Sequence, residues 1–117
     1  MTFKMTTFEE ALYLEVMLEG KYSFQEFLES GKTAAQEAKD LNKQKLLFDL
    51  TQLKGPIPEL DKVQIGTHSK PYFGTLKVAF IDTPEQNMRF AESISVNRGA
   101  NVHSFRDRAK ALEWLLH

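Results

Sequence analysis

Two short, almost wholly apolar runs constrain this chain more than any other feature of its sequence. They are Lys45–Leu50 and Leu76–Ile81, and runs of this kind are typical of strands inside a parallel sheet. Parallel strands need a long crossover connection, which is usually a helix. The sequence therefore predicts an α/β fold with right-handed crossovers between strands.

Three further segments predict strands. Phe3–Phe8 and Leu12–Glu19 follow each other closely, and the short link Glu9–Ala11 suits an antiparallel hairpin. In the second of these strands, Leu12 is the first of four alternating apolar residues that we expect on one face. Asn101–Phe105 predicts a short fifth strand.

Four segments carry the signals of a helix start. The first begins at Ser23 with an S-x-x-E capping box, and the third begins at Thr83 with a T-x-x-Q box. The second begins at Pro58 and the fourth at Asp107, residue types suited to a helix N-terminus. After the second helix, we expect Lys70–Gly74, which contains a proline, to be a loop.

Three residues inside the predicted helices carry packing expectations. Gly31 lies within the apolar stripe of the first helix, where glycine costs up to about 1 kcal/mol relative to alanine. A close approach between helix and sheet would explain it. We expect Leu60 of the second helix and Phe90 of the third helix to point inward.

These elements follow one another in the order β-β-α-β-α-β-α-β-α. They predict a single α/β domain over residues 1–117, built on a mixed, mostly parallel five-stranded sheet with about four helices. Each interior strand has one wholly apolar face and one mixed face, on which Asp49, Thr51 and Lys77 lie. A sheet buried equally on both sides would have continuous apolar strands. We therefore expect one face to be fully covered and the other to be partly open for a partner, a lid or a ligand.

Composition excludes several classes of function. The chain has no cysteine, which excludes disulfides, thiolate metal sites and cysteine nucleophiles. A net charge of −1 provides no basic field for nucleic acid. The apolar runs are too short to span a bilayer, and the N-terminus lacks the pattern of a signal peptide. We expect a cytoplasmic protein without a metal or cofactor.

The last strand and helix carry the most distinctive motif. Phe105–Leu115 follows the pattern F-x-D-x-x-x-A-x-x-W-L. This motif resembles the end of the SpoIIAA-like proteins. Three further segments resemble the same family: the strand and Gly-Lys turn at Leu14–Lys21, the Asp-Leu ending of Leu46–Leu50 and the strand Leu76–Ile81. The SpoIIAA-like proteins are relatives of the STAS domains (sulphate transporter and anti-sigma factor antagonist). The resemblance covers essentially the whole chain.

The resemblance implies a mixed sheet with a right-handed βα superhelix, similar to STAS domains and to Sec14 or CRAL-TRIO lipid-binding domains. It also implies a small regulatory or ligand-binding module more than an enzyme. STAS anti-sigma antagonists carry a phosphorylatable serine in a turn after the central strand. The matching stretch Leu50–Asp61 contains no serine, and Thr51 lies too early to replace it. This departure weakens the case for a phosphorylation switch.

Two carboxylates are candidate site residues. Asp49 interrupts a buried strand, and Asp82 directly follows the neighbouring strand. Ligands of open α/β sheets bind beyond the carboxyl ends of the strands, where a pair of carboxylates could act in acid–base chemistry or bind Mg²⁺. Local bonding to backbone donors and to the Thr83 cap explains both residues more simply.

The segment 55–74 contains the remaining candidates. Tyr72 and Phe73 are expected loop aromatics that could contact a lipid, a membrane surface or a second protomer, or could fold under the domain. His68 is a candidate acid or base, but no second histidine or acid lies at ligand spacing to it.

The first hypothesis is a non-enzymatic module that binds a small amphipathic ligand or a protein partner. It would use Asp49, Thr51, His68, Tyr72, Phe73 and Asp82, on the mixed sheet face and in the segment 55–74, and none of these would be catalytic. The alternatives are a phospho-regulated protein like the anti-sigma-factor antagonists and an enzyme that uses Asp49, Asp82 and His68. A homodimer stays open, since domains with a partly uncovered apolar face often pair.

Overall fold

A five-stranded sheet forms the centre of the computed structural model, which describes residues 1–117. The strands lie side by side in chain order; the first pairs antiparallel with the second, and all other pairs are parallel. The predicted order of elements and the mixed, mostly parallel sheet are confirmed. The elements are β1 (Phe3–Glu9), β2 (Leu14–Lys21), α1 (Phe24–Asp40), β3 (Lys45–Lys54), α2 (Glu59–Phe73), β4 (Lys77–Ile81), α3 (Arg89–Asn97), β5 (Asn101–Phe105) and α4 (Arg108–Leu116).

The two faces of the sheet are covered unequally, and strand order explains why. Because β2 to β5 lie in sequence, right-handed crossovers place all three connecting helices on the same face. A core of 22 buried residues lies between the sheet and α1, α2 and α3. On the other face, α4 alone covers a cluster of five buried residues. The expectation of one fully covered and one partly open face is thereby confirmed.

The turn between β1 and β2 lies slightly later in the chain than the sequence suggests, because β1 ends at Glu9 and β2 begins only at Leu14. The backbone N–H of Glu10 donates to the carbonyl of Tyr13 at 2.9 Å, so the turn consists of Ala11 and Leu12. Leu12 is 63% exposed and lies outside the strand. The expectation that Leu12 joins the apolar face is wrong, because the turn includes Leu12 and β2 begins only at Leu14.

The segment Lys70–Gly74 is not a loop, as α2 continues to Phe73 with Pro71 inside it. A proline in a helix costs about 3 kcal/mol. Ile65, Ser69 and Phe73 are buried at helical spacing, and their burial offsets that cost. Polar and small residues occupy much of the inward face of α2, so its sequence carries little amphipathic signal. Leu60 accordingly points outward and is 81% exposed, against expectation.

The first helix begins after Ser23 as predicted, but its capping box does not form, and the second capping box forms without beginning a helix. The side chain of Ser23 makes no cap hydrogen bond at the start of α1. Thr83 and Gln86 do form the reciprocal box, with N–H···O distances of 3.1 and 3.3 Å. Asn87 then adopts a positive φ of 45°, which ends the turn, so α3 begins only at Arg89. Phe90 consequently lies 43% exposed instead of buried.

A close approach occurs at Gly66, not at Gly31. A Cβ on Gly31 would lie 3.8 Å from the nearest Phe73 atom, which is an ordinary contact. A Cβ on Gly66 would lie 2.6 Å from the Cβ of Ile94, so only glycine lets α2 and α3 pack at this distance. None of the four helices combines the length and the apolar composition that spanning a bilayer requires.

Candidate functional site

The predicted site residues lie in three separate places. Asp49 pairs in register with Ile81, and Asp82 is the next residue along the chain. Because successive residues point to opposite faces of a sheet, the two carboxylates lie on opposite faces. The three places are the α4 face with Asp49 and Thr51, the covered face under α2 with His68, Tyr72 and Phe73, and the start of α3 with Asp82.

Asp49 and Thr51 flank an irregularity in β3. Met17 of β2 pairs with Asp49, and the next pair joins Glu19 to Gln52. β3 therefore has one extra residue between these two pairs, which is a β-bulge. The backbone N–H of Thr51 donates to Oδ1 of Asp49 at 2.9 Å, and the Thr51 hydroxyl donates to the same oxygen at 2.6 Å. Asp49 therefore satisfies local donors at the bulge, and Thr51 lies inside a strand with its hydroxyl engaged.

Arg108, the first residue of α4, joins two strands on this face. Its Nη2 donates to Oε1 of Glu15, and its Nη1 lies 3.5 Å from Oδ2 of Asp49. Glu15 is only 8% exposed, so a cation is needed beside its carboxylate. The hydrogen bond to Glu15 is the main cause that raises the pKa of Arg108 above its ordinary value. Sequence reasoning missed this link because the partners lie 93 and 59 residues apart.

Beyond Arg108, the β1–β2 part of the same face is uncovered. The residues of this surface, here called the open strip, are Lys4, Thr6, Phe8, Met17 and Glu19. In register, Lys4 pairs with Glu19 and Thr6 with Met17. Phe8 is 43% exposed and Met17 is half-buried. The open strip thus has one charge of each sign at one end, Met17 at its centre and Phe8 at its other end.

His68, Tyr72 and Phe73 come together in a cleft between α1 and α2. The rings of His68 and Tyr72 lie 5.3 Å apart, and the rings of Phe73 and Phe48 lie 5.9 Å apart. Nδ1 of His68 lies 2.8 Å from the carbonyl oxygen of Gln64 in its own helix. Phe73 is buried in the main core. The sequence left open whether it contacts another molecule or folds under the domain, and the structure shows that it folds under the domain.

The α1–α2 cleft is apolar but small. Its free volume is about 20 Å³, which holds about one water molecule. Pockets for organic ligands are typically roughly 300–1,000 Å³, so the packed cleft has no room for a lipid. Since α2 lies on the covered face, the mixed sheet face and the segment 55–74 do not form one site, contrary to the first hypothesis from the sequence.

Asp82 serves the start of α3. It is 4% exposed, its Oδ2 accepts the N–H of Met88 at 2.6 Å, and its Oδ1 accepts Nε of Arg106 at 2.9 Å. Both oxygens are therefore paired within the chain, which agrees with local capping. No group of three or more histidine or acidic side chains is arranged to hold a metal ion.

Gln86 is a structural residue whose main role the sequence did not show. It is fully buried, and its Nε2 donates to the carbonyls of Leu50 and Leu53 at 2.9 and 2.8 Å. These carbonyls lie at and after the bulge in β3. Gln86 thereby holds the turn before α3 against the end of the central strand. The T-x-x-Q pattern in the sequence predicted the hydrogen bonds between Gln86 and Thr83, but it did not predict the bonds from Gln86 to β3.

Comparisons with known proteins identify the fold. No protein-family model matches the chain, and no curated protein sequence matches it significantly. Among solved structures, an anti-sigma factor antagonist from Mycobacterium paratuberculosis superposes with a TM-score of 0.67 at 8% identity, over 98% of this chain and 95% of that one. An uncharacterised protein of the DUF3478 family from Shewanella loihica, with a SpoIIAA-like fold, superposes with a TM-score of 0.55 at 23% identity, over 97% and 93%.

Proposed function

We propose that this chain, which has the SpoIIAA-like fold, is a non-enzymatic regulatory module that binds a protein partner through the open strip. The observation that carries the proposal is the uncovered β1–β2 half of the α4 face, with Met17 at its centre and Phe8 at its end near the hairpin turn. One fold neighbour is an anti-sigma factor antagonist, a name that denotes regulation of other proteins. We also propose that the module acts in the cytoplasm.

The geometry favours an amphipathic helix as the part of the partner that binds. Neighbouring strands lie about 4.8 Å apart, so two strands offer a width of about 10 Å, close to the diameter of a helix. The chain's own α4 already packs in this way, with Ala111 and Leu115 on the neighbouring strands. A partner helix beside α4 would cover Phe8 and Met17 and place its charges near Lys4 and Glu19.

The two alternative functions have less support. An enzyme that uses Asp49, Asp82 and His68 would need these side chains to converge, and they lie in the three different places described above. A phosphorylation switch would need a hydroxyl in the turn after the central strand. The β3–α2 connection is Gly55–Pro58 and contains none, while Thr51 donates its hydroxyl to Asp49.

Site-specific photo-crosslinking tests the proposal. A photoreactive amino acid replaces Met17 in the open strip, or Gln36 on the exposed side of α1 as the control. The proposal expects a discrete protein adduct at position 17 that is absent at position 36. The captured protein is then purified and its affinity for the unmodified chain is measured by calorimetry.

The calorimetry includes a matched pair of charge substitutions. Phe8→Glu replaces the most exposed apolar side chain of the open strip by a charge, and we expect at least about tenfold weaker binding, equivalent to about 1.4 kcal/mol. Gln36→Glu adds the same charge elsewhere and should leave the affinity unchanged. Absence of an adduct specific to position 17, or equal affinities for the two variants, would refute the proposal.

A further inference from the structure

We infer that β1 of one copy of this chain pairs antiparallel with β1 of a second copy, which joins the two sheets into one of ten strands. This inference goes beyond the proposed function and concerns the backbone edge of β1, not the sheet face that the partner would cover. β1 is an edge strand of seven residues. Edge strands expose unpaired backbone groups that can template another strand.

The hydrogen bonds show which backbone groups are free. In an antiparallel pair, alternate residues direct both N–H and C=O at the partner strand. The carbonyl of Thr2 accepts the N–H of Lys21, and the N–H of Glu10 donates to Tyr13, so the even-numbered residues of this segment bond to β2. The N–H and C=O groups of Met5 and Thr7 consequently point outward, away from the sheet.

Contacts within the chain occupy the two ends of this edge and leave its middle free. At one end, the carboxylate of Glu26 accepts the N–H groups of Thr2 and Phe3. At the other end, Nζ of Lys43 lies 3.4 Å from Oε2 of Glu9. Between them, the sequence Met-Thr-Thr-Phe contains no proline, glycine or charge that would blunt the edge.

Charge complementarity selects a second copy as the occupant and also selects the register. Lys4 and Glu10 are exposed, lie three residues on either side of Thr7, and form no ion pair within the chain. With Thr7 on the two-fold axis, Lys4 of each copy faces Glu10 of the other. Centring the pair on Met5 or Thr6 would instead place Lys4 opposite a threonine or a phenylalanine. Opposite charges in facing positions stabilise a strand pair.

The register also satisfies the backbone. Met5 faces Glu9 of the second copy and Thr7 faces its equivalent, and each such pair exchanges two hydrogen bonds. Glu9 is already neutralised by Lys43, so its position beside Met5 leaves no uncompensated charge. Thr6 and Phe8 face each other across the axis, which brings the two open strips side by side.

Sedimentation equilibrium of the purified full chain tests the inference. We expect a concentration-dependent dimer that weakens as salt is added. Thr7→Pro removes the outward N–H on the axis without removing a bond to β2, so we expect a monomer with an unchanged circular dichroism spectrum.

A charge swap keeps the test valid even if Thr7→Pro fails to fold. Lys4→Glu replaces two attractions by two repulsions, and we expect the dimer dissociation constant to rise at least about tenfold. Adding Glu10→Lys to the same chain restores the opposite charges and should restore the dimer. A monomer at every concentration, or a dimer that Lys4→Glu does not weaken or that the double variant does not recover, would overturn the inference. Crosslinking at Met17 reports on the partner separately.

Discussion

Substituting Gly66 by alanine tests the packing of α2 against α3 directly. The new Cβ would lie 2.6 Å from the Cβ of Ile94 and 2.9 Å from the carbonyl oxygen of Ala91. Carbon atoms prefer separations of about 3.5–4.0 Å, so α3 must move away by about 1 Å. The neighbours are a backbone oxygen and a branched Cβ, which cannot swing aside as the end of a flexible side chain could.

The expected loss of stability follows from two opposing contributions. Overpacking of this kind costs about 3 kcal/mol at the upper end of its usual range, and the better helix propensity of alanine returns about 1 kcal/mol. The net loss is about 2 kcal/mol. Movement of α3 would also strain the 2.8 Å hydrogen bond from Ser95 to Ser69 in the same interface. We therefore expect Gly66→Ala to lower the melting temperature by roughly 8 °C.

Gly31→Ala is the matched control, because Gly31 also lies in a helix but has room for a methyl group. Its nearest neighbour would be Phe73 at 3.8 Å, so only the gain in helix propensity remains, about 1 kcal/mol of added stability. Urea and thermal unfolding followed by circular dichroism measure both variants. The packing argument would be refuted if both substitutions changed the free energy of unfolding in the same direction. It would also be refuted if Gly66→Ala changed that free energy by less than about 0.5 kcal/mol.

Two further substitutions test buried and surface hydrogen bonds. Gln86→Leu leaves two buried carbonyls without donors, at about 1–2 kcal/mol each, so urea unfolding should show a loss of about 2–4 kcal/mol; an equal loss in the exposed control Gln64→Leu would contradict this. The hydrogen bonds from Thr2 lower the pKa of Glu26 in the folded protein below its ordinary value of 4.5. These bonds therefore stabilise the fold above about pH 4.5, and their contribution is lost as the pH falls through the folded-state pKa. Glu26→Gln should therefore destabilise the protein at neutral pH but not well below pH 4, whereas Glu29→Gln should have no effect; a loss that is the same at every pH would argue against the bond.

Local sequence patterns predicted most of the fold because the signals that they carry act over a few residues. The apolar runs around Phe48 and Val78 predicted interior strands, and their uneven faces predicted the uneven cover of the sheet. The prediction failed where the burial of side chains along a helix outweighed a local helix-breaking residue. Pro71 suggested a loop, but the burial of Phe73 continues the helix through it.

The candidate site was less predictable than the fold. Residue type and position singled out Asp49 and Asp82 as a pair, yet the alternation of side chains along strands places them on opposite faces. Their actual partners are arginines that follow the last strand, Arg108 for Asp49 and Arg106 for Asp82. No spacing rule in the sequence connects residues so far apart.

The sequence by itself determined the order of elements, the two faces of the interior strands and the absence of cysteine chemistry, because periodicity and composition are properties of short segments. Only the tertiary structure decided which polar groups meet. A bulge in β3 leaves the N–H of Thr51 for Asp49 to accept, and right-handed crossovers crowd three helices onto one face. These are consequences of packing the whole sheet, and they leave the open strip and the edge of β1 uncovered, which are the two surfaces that we propose for binding another chain.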